Sequence, residues 1–312
     1  METARRAVAT GHRGWRLFTM QQVTVRVPGS TSNLGPGFDC LGVALRIHNS
    51  VNVIRGESHE SRGVRLVSEA ADQFFKQARR RPFPFSCSIT EQVPRSRGLG
   101  SSATVRLGIL IALNRLNGDP LDRLTVFRLC AELEGHPDNA APATFGGFTV
   151  VGSARSTAPT VQRFEVLPRL WFVLLIPEFE IQTSRARQIL PAKMSRIAAA
   201  ENSANACALT AAFASQDYEK LRGTFIDHLH QPFRSKLIPF LPRVIAAAEN
   251  AGALGAFLSG SGSTIAAVTL RAPKKIAAAM ARAAAAPART VITRADNRGA
   301  QTLSHRSPVT NH

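Results

Sequence analysis

The chain has 312 residues, of which 44% are hydrophobic, and its 39 Lys and Arg against 21 Asp and Glu give a formal net charge of +18. This apolar fraction excludes an intrinsically disordered chain, because it can bury a core large enough to offset the entropy of ordering. The longest candidate for a membrane span, 170–177, has less than half of the roughly 18 apolar residues that a span needs. The length is that of about two ordinary domains.

Cysteine usage and charge distribution narrow the class of protein further. The four cysteines, Cys40, Cys87, Cys130 and Cys207, stand far apart, and no CxxC pair indicates a disulfide framework or a zinc site. The basic excess is almost all arginine, scattered along the chain without interleaved aromatic residues, which favours small anionic ligands such as nucleotides over nucleic acid. We therefore expect a cytoplasmic protein with no nucleic-acid and no membrane partner.

The first half of the chain alternates strand and helix patterns. Residues 1–19 carry four arginines and no periodicity, which favours a disordered extension or a start codon assigned too early. Alternating apolar residues then predict strands at 23–27, 43–53, 64–67, 85–92 and 147–151. Helical spacing predicts helices at 68–79, at 101–116, which is apolar nearly all round, and at 122–133. Residues 152–160 are expected to be a linker between the halves.

The second half mixes the two kinds of element in another order. Strands are predicted at 171–176, 256–258, 265–268 and 290–293, and helices at 195–215, 218–228, 241–250 and 274–285. This mixed order favours an α+β protein over a doubly wound parallel sheet.

A glycine-rich loop that runs directly into the apolar helix at 101–116 is the sharpest chemical signal. Its residues are Pro94, Arg95, Ser96, Arg97, Gly98, Leu99, Gly100, Ser101, Ser102, Ala103 and Thr104. Free backbone N–H groups at a helix start and the positive end of the helix dipole favour a phosphate chain, which glycine allows to approach closely. The serine hydroxyls can donate to phosphate or bind Mg²⁺.

Two alternatives stand beside this interpretation of the loop. Gly98-x-Gly100-x-x-Ala103 also fits the loose dinucleotide pattern, with Asp119 about 20 residues further on. A dinucleotide fold would place that acid at the end of a second strand, whereas Asp119 lies in the turn that ends a helix. The other alternative is a plain glycine cap on a core helix, which would not require glycines and serines in one run.

Three further segments carry polar residues in turn-rich sequence. The segment 28–42 places Asn33 and Asp39 near a strand end, where they can hold a cation or merely form Asx turns. The segment 132–142 holds Glu132, Glu134, His136, Asp138 and Asn139, and a glutamate there can complete a Mg²⁺ site with a serine of the phosphate loop. The segment 252–264 is glycine-rich and lies between two strands, so it is either a tight hairpin or backbone packed on a ligand.

In this order, the segments resemble the GHMP kinase superfamily and, within it, the homoserine kinase family. The first is similar to the opening motif P-x-S-x-x-N-L-G-P-G-F-D, the glycine-rich loop to the motif P-x-x-x-G-L-G-S-S, and the last to the third motif. The run EGHPDN at 134–139, Thr183-x-x-Ala186-Arg187 and His230-Gln-Pro-Phe-Arg234 resemble the homoserine kinases specifically. The third motif departs from the usual S-G-A-G-P, because it reads Ser259-Gly-Ser-Gly-Ser263.

The resemblance implies a two-domain fold and an activity. The fold is α+β, with an N-terminal ribosomal-protein-S5-like, ATP-binding domain at 20–160 and a C-terminal ferredoxin-like α/β sandwich at 161–312. The activity is transfer of the γ-phosphoryl of ATP to the side-chain hydroxyl of L-homoserine, with Mg²⁺, in a homodimer. Two alternatives stay open: another GHMP kinase, for instance on mevalonate, and a non-catalytic nucleotide-binding protein of the same fold.

The same resemblance assigns roles at the reacting centre. Ser102 and Glu134 are implied to hold Mg²⁺, with Glu132 a competitor for that role because it lies close in sequence. Asn139 stands where other members of the superfamily carry an aspartate base, so it is expected to orient the substrate. The group that accepts the hydroxyl proton is left open, with the phosphate itself as one candidate.

An α-amino acid substrate requires partners for both of its charges. A carboxylate is bound well by arginine, and an ammonium by oxygen acceptors. By the resemblance, the substrate-binding residues are Asn33, Asp39, His136, Asn139, Arg187 and Arg234. In this set Arg187 and Arg234 face the carboxylate, and Asn33 and Asp39 face the ammonium.

Overall fold

The computed structural model describes residues 21–56, 65–152 and 160–303. The expected extension at 1–19 and most of the expected linker, 153–159, lie outside these residues. The strands of the first sheet are β1 (Gln22–Ser32), β2 (Leu41–Arg55), β3 (Phe85–Thr90), β4 (Phe148–Val151), β5 (Val161–Phe164) and β10 (Gln301–Leu303). The sheet is antiparallel and has the order β10-β1-β2-β4-β5, with β3 pairing on β2. The long β2 pairs β4 through its start and β3 through its end.

Four helices build the first core with this sheet. They are α1 (Arg65–Ala78), α2 (Ser101–Leu116), α3 (Arg123–Glu134) and α4 (Ala140–Phe145). The alternate valines Val23, Val25 and Val27 of β1 enter this core. Helix α2 packs on β1 and on the helices α1 and α3, which is why its sequence is apolar nearly all round. The helix that follows the glycine-rich loop is therefore fixed in the middle of the core.

The strands of the second sheet are β6 (Trp171–Pro177), β7 (Gly255–Leu258), β8 (Ile265–Thr269) and β9 (Ala288–Thr293). This sheet is also antiparallel and has the order β7-β8-β6-β9. The apolar run of β6 is buried on both faces: Val173 and Leu175 pack into a core with α8 (Leu241–Asn250) and α9 (Pro273–Ala283), while Phe172 and Leu174 pack toward α6 (Arg196–Ala214) and the first sheet. Two short helices, α5 (Thr183–Gln188) and α7 (Gln231–Arg234), complete the second half.

Two predicted elements are wrong. A strand was expected at 64–67, but the described residues of this range, 65–67, begin α1. The reason is a buried stripe at helical spacing, formed by Val67, Ala70, Ala71, Phe74 and Phe75. The helix expected at 218–228 is a single 3₁₀ turn, Tyr218–Leu221, after which the chain turns at Gly223 with a φ of 79°. The elements α4, α5, α7, β5 and β10 were not predicted from the sequence.

The first sheet includes two strands, β5 and β10, that lie beyond residue 160 in the chain. Strand β5 pairs with β4, and β10 pairs with β1 after the chain has completed the second sheet. The hydrogen bond between Nε2 of His48 and the carboxylate of Asp296, 2.8 Å long, holds this returning segment on β2. The α+β class is confirmed, and the division into domains at residue 160 stays a prediction. Within the described residues, no helix has the length and apolarity to cross a bilayer.

Candidate active site

The four polar segments meet at one cavity of about 330 Å³ between the two halves. Most of the predicted site residues line it, namely Asn33, Asp39, Arg95, Ser96, Arg97, Gly98, Leu99, Gly100, Ser101, Ser102, Glu134, His136, Asn139, Arg187 and Arg234. Pro94, Ala103 and Thr104 are not among the described residues of the wall. The hydroxyl of Thr104 is engaged inside the core, where it accepts from Asn49 and donates to the carbonyl of Ser101.

The second half of the chain holds the glycine-rich loop in place. The backbone carbonyls of Ser96 and Arg97 accept from the N–H groups of Ile181 and Thr264, at 3.3 and 3.2 Å. The hydroxyl of Ser259 donates to the carbonyl of Gly98 at 2.7 Å. The loop conformation therefore depends on contacts from beyond residue 160, including the glycine-rich segment 252–264, whose role sequence reasoning left open.

Two glycines are required where the loop enters α2. Gly98 has a φ of 69°, and a Cβ there would lie 2.1 Å from the carbonyl oxygen of Ser259. Gly100 also has a φ of 69°, and its Cβ would lie 2.5 Å from the hydroxyl of Ser30. The left-handed conformation and the close approach both exclude a side chain.

The start of α2 presents groups that can bind an anion. Gly100 precedes the helix, and the first intrahelical hydrogen bond from this end runs from the N–H of Thr104 to the carbonyl of Gly100. The N–H groups before Thr104 therefore lack intrahelical acceptors. Ser101 and Ser102 line the cavity at this point, so hydroxyl donors and the positive end of the dipole face the same space.

Glu134 lies against this helix start. Its Oε2 accepts from the hydroxyl of Ser102 at 2.6 Å, and its Oε1 accepts from Arg106 at 2.5 Å. Only 6% of the Glu134 side chain is exposed, whereas Glu132 is an exposed residue outside the described cavity wall. Of the two glutamates, Glu134 is therefore the one that stands beside Ser102 and faces the cavity.

Asp39 and Arg187 form a two-pronged ion pair in the cavity wall. The guanidinium donates to the two carboxylate oxygens at 3.0 and 2.6 Å. Asn33, expected to offer its amide to a ligand, uses that amide to hold the loop: its Oδ1 accepts from the N–H of Asp39, and its Nδ2 donates to the carbonyl of Gly260. Asp39 and Arg187, which were expected to bind the opposite charges of one ligand, thus contact each other.

Arg234 is 2% exposed and is anchored on the backbone. Its Nε donates to the carbonyl of Ala186 at 3.1 Å, and one terminal nitrogen donates to the carbonyl of Gly260 at 2.9 Å. Burial, with a smaller contribution from the charge of Arg187, lowers its pKa to about 10, so it stays charged at neutral pH. Burial also lowers the pKa of the neighbouring His230 to about 4, which keeps that imidazole neutral.

Asp138 is the functional candidate that sequence reasoning missed. Its side chain lines the cavity, is 2% exposed as a residue, and pairs with the Nδ1 of His136. Burial opposes both charges, yet the attraction between them raises the pKa of His136 and lowers the pKa of Asp138. The run EGHPDN contains this aspartate, but a polar residue in a turn gives no sign that it is buried.

Asn139 is held from both sides at the base of the cavity. Its Oδ1 accepts from the hydroxyl of Ser30 at 2.8 Å, and its Nδ2 donates to that of Ser32 at 3.1 Å. The amide of Asn139 therefore has a fixed orientation beside the glycine-rich loop.

Two residues of the wall, Thr183 and Ser261, were not predicted as site residues. Their hydroxyl oxygens lie 3.4 Å apart.

Comparison with known proteins identifies the family of the chain. The family models for the GHMP kinases N terminal domain and the GHMP kinases C terminal domain match residues 65–147 and 208–286. The homoserine kinase of Moorella thermoacetica is 39% identical over 272 residues, which cover 83% of this chain and 91% of that protein. The chain belongs to the GHMP kinase family. It is accordingly a kinase that takes its phosphoryl group from ATP and transfers it to a hydroxyl.

Solved structures agree with this assignment. The crystal structure of homoserine kinase from Cytophaga hutchinsonii matches with a TM-score of 0.82 and 26% identity, covering 91% of this chain and 98% of that one. The phosphomevalonate kinase of Streptococcus pneumoniae, in complex with phosphomevalonate and AMPPNP, matches with a TM-score of 0.70 over 88% of this chain and 99% of that one. At 15% identity, this second likeness shows the fold alone.

The variant Gly98→Ala tests whether the glycine-rich loop requires glycine at this position. We expect a loss of stability beyond the roughly 1–2 kcal/mol of left-handed strain, and a raised KM for ATP, because the new Cβ pushes the loop away from Ser259. Gly118→Ala is the matched control, since Gly118 has a φ of 77° but a Cβ added there would meet nothing within 4 Å. Thermal unfolding and steady-state kinetics measure both effects; equal behaviour of the two variants would contradict the close approach.

Proposed function

We propose that this chain is a homoserine kinase, which transfers the γ-phosphoryl of ATP to the side-chain hydroxyl of L-homoserine and forms O-phospho-L-homoserine, on the route to threonine. The observation that carries the proposal is the ion pair of Asp39 and Arg187 in the wall of the cavity that also contains the phosphate loop. The names of the Moorella and Cytophaga relatives support the same substrate.

The ion pair matches the charges of an α-amino acid. Without a ligand, the carboxylate of Asp39 and the guanidinium of Arg187 neutralise each other. A zwitterionic ligand replaces this pair by two new ones, with its ammonium on Asp39 and its carboxylate on Arg187, and leaves no charge unpaired. Mevalonate has a carboxylate but no ammonium, so it would displace Asp39 from Arg187 without giving it a cation, which costs free energy.

The phosphate end of the cavity fits ATP with Mg²⁺. The hydroxyl of Ser102 and the carboxylate of Glu134 are hard oxygen donors of the kind that Mg²⁺ prefers, and both face the cavity. When bound there, the ion neutralises charge on the phosphate oxygens. The start of α2 holds the phosphate chain, and Asn139 and His136 orient the acceptor hydroxyl toward it. Positioning and charge neutralisation account for most of the rate in phosphoryl transfer.

The remaining expectations concern the setting of the reaction. A homodimer, a cytoplasmic location and the absence of nucleic-acid and membrane partners stay predictions.

Release of ADP, measured with homoserine and with mevalonate as acceptors, tests the proposal. We expect turnover with homoserine and none with mevalonate, and a phosphomonoester product by phosphorus NMR. Turnover with mevalonate alone would move the chain to another substrate class. Binding of ADP without turnover of either acceptor would favour the non-catalytic alternative.

Ser102→Ala and Glu134→Gln are expected to lower kcat far more than they raise KM for homoserine. The reason is that contacts to metal and phosphate strengthen as charge moves in the transition state. Glu132→Gln is the matched control, because Glu132 precedes Glu134 by two residues on α3 and is exposed. Steady-state kinetics at saturating Mg²⁺ separate the two parameters. A larger kcat loss in Glu132→Gln than in Glu134→Gln would transfer the metal role to Glu132.

Arg187→Ala is expected to raise KM for homoserine by roughly tenfold to more than a hundredfold, since a charged hydrogen bond contributes about 1.5–3 kcal/mol. KM for ATP should change by no more than a few-fold. Arg187→Lys should recover part of the loss, because an ammonium lacks the planar two-donor fork. Arg185→Ala is the control: Arg185 is an exposed arginine on the same short helix, outside the described wall. A raised KM for ATP with homoserine unaffected would make Arg187 a phosphate ligand.

Arg234 requires a different measurement, because its side chain holds two backbone carbonyls. Arg234→Ala is expected to lower Tm as well as homoserine affinity, since it removes the side-chain donor to the carbonyl of Ala186 and leaves that of Gly260 with Asn33 alone. Arg234→Lys, which keeps the charge and one donor nitrogen, is therefore the variant in which KM is compared. An unchanged Tm in Arg234→Ala would contradict the anchoring role.

A further inference from the structure

Arg106 lies one helical turn after Ser102 on α2, behind the phosphate end of the cavity. It joins two carboxylates: one terminal nitrogen donates to Oε1 of Glu134 at 2.5 Å, and the other donates to Oε2 of Glu69, on α1, at 2.9 Å. Only 14% of its side chain is exposed. Arg106 is not among the described residues of the cavity wall, so it acts on that space through Glu134.

The contacts of Arg106 are confined to these two acids at its charged end. Its Nε is buried and has no acceptor among the residues that the structure describes. Glu69 is held from its other side by Arg65, whose Nε donates to Oε1 of Glu69 at 2.6 Å. The position of the Arg106 guanidinium is therefore set by Glu69 and Glu134 together.

Glu134 stands where a carboxylate is electrostatically unfavourable. It is the last residue of α3, and Gly135 follows it in the left-handed conformation. The negative end of the helix dipole at such a position repels an acidic side chain. The guanidinium of Arg106 offsets this repulsion and occupies Oε1, which leaves Oε2 directed at the hydroxyl of Ser102.

We propose that Arg106 and Glu69 are positioning residues for the metal-binding carboxylate: Arg106 fixes the orientation of Glu134 toward Ser102, and Glu69 fixes Arg106. This inference rests on the proposed function, in which Ser102 and Glu134 hold Mg²⁺. Partners that hydrogen-bond a metal ligand from behind orient it, and their loss typically lowers metal affinity about 10- to 100-fold.

The test compares ADP binding with Mg²⁺ and with EDTA, by calorimetry, in the full chain. The ratio of the two dissociation constants isolates the contribution of the metal from that of the nucleotide. Arg106→Met removes the guanidinium and keeps most of the apolar stem, Arg106→Lys keeps one charged donor, and Glu69→Gln removes the charge behind Arg106. Arg115→Met is the matched control, because Arg115 lies on the same helix and forms an exposed ion pair with Asp119.

We expect the benefit of Mg²⁺ for ADP binding to fall about tenfold in Arg106→Met, with ADP binding in EDTA unchanged. Arg106→Lys should lie between this variant and the wild type, Glu69→Gln should show a smaller loss in the same direction, and Arg115→Met should show none. The concentration of Mg²⁺ that half-activates turnover should rise in the same order.

Two results would overturn the inference. An unchanged ratio with a lowered Tm in Arg106→Met would make the ion pairs a device that only joins α1 to α2 and α3. An increased benefit of Mg²⁺ would mean that Arg106 repels the metal instead of orienting its ligand. Either result can accompany normal wild-type turnover of homoserine, so the inference can fail while the proposed function stands. A wild type whose ADP binding is indifferent to Mg²⁺ would overturn both metal assignments.

Discussion

The glycine-rich loop before α2 is held by the other half of the chain, and the whole site depends on this constraint. A loop with two left-handed glycines has many conformations of similar energy when it is isolated, because glycine restricts the backbone least. Hydrogen bonds from Ile181, Ser259 and Thr264 select one of them. The end of the cavity at the start of α2 is thus shaped by both halves of the chain.

Most charged side chains of the described cavity wall are paired, with Arg234, which is bound to backbone carbonyls, as the exception. Five pairs involve residues of the described wall: Asp39 with Arg187, Asp138 with His136, Glu134 with Arg106, Glu91 with Arg95, and Arg97 with Glu180. Burying an unpaired charge is costly, so each pair lets a cationic and an anionic group stand ready without a ligand. The described wall holds four arginines and four acidic side chains, so the net charge of +18 says little about the site.

The parts of the fold that the sequence predicted correctly are those that depend on neighbouring residues. The apolar helix at 101–116 and its preceding glycines follow from neighbouring residues, and the structure has both. Pairing of β10 with β1 joins segments nearly 280 residues apart, which no local pattern indicates. The contact of Asp39 with Arg187 spans 148 residues, and the sequence predicted the two as members of one site without predicting that they pair. Asp138 was overlooked because burial, not residue type, makes it important.

Arg234 and Arg187 differ in how firmly the surrounding residues hold them, and this difference gives them different roles in the proposed acceptor site. Asp227 accepts the N–H groups of Leu229, His230 and Gln231 and so shapes the turn that begins α7. The neutral His230 donates to the carbonyl of Gly35, which connects this turn to the segment 28–42.

Arg234 therefore belongs to a rigid frame, and its charge is fixed in space. The side chain of Arg187 is 36% exposed and is held mainly by Asp39, so a ligand carboxylate can take over its contacts as the ligand ammonium takes over those of Asp39. In the proposed function, a fixed cation beside an exchangeable ion pair selects for ligands that carry both an ammonium and a carboxylate. An anion alone can satisfy Arg234, but it cannot compensate Asp39.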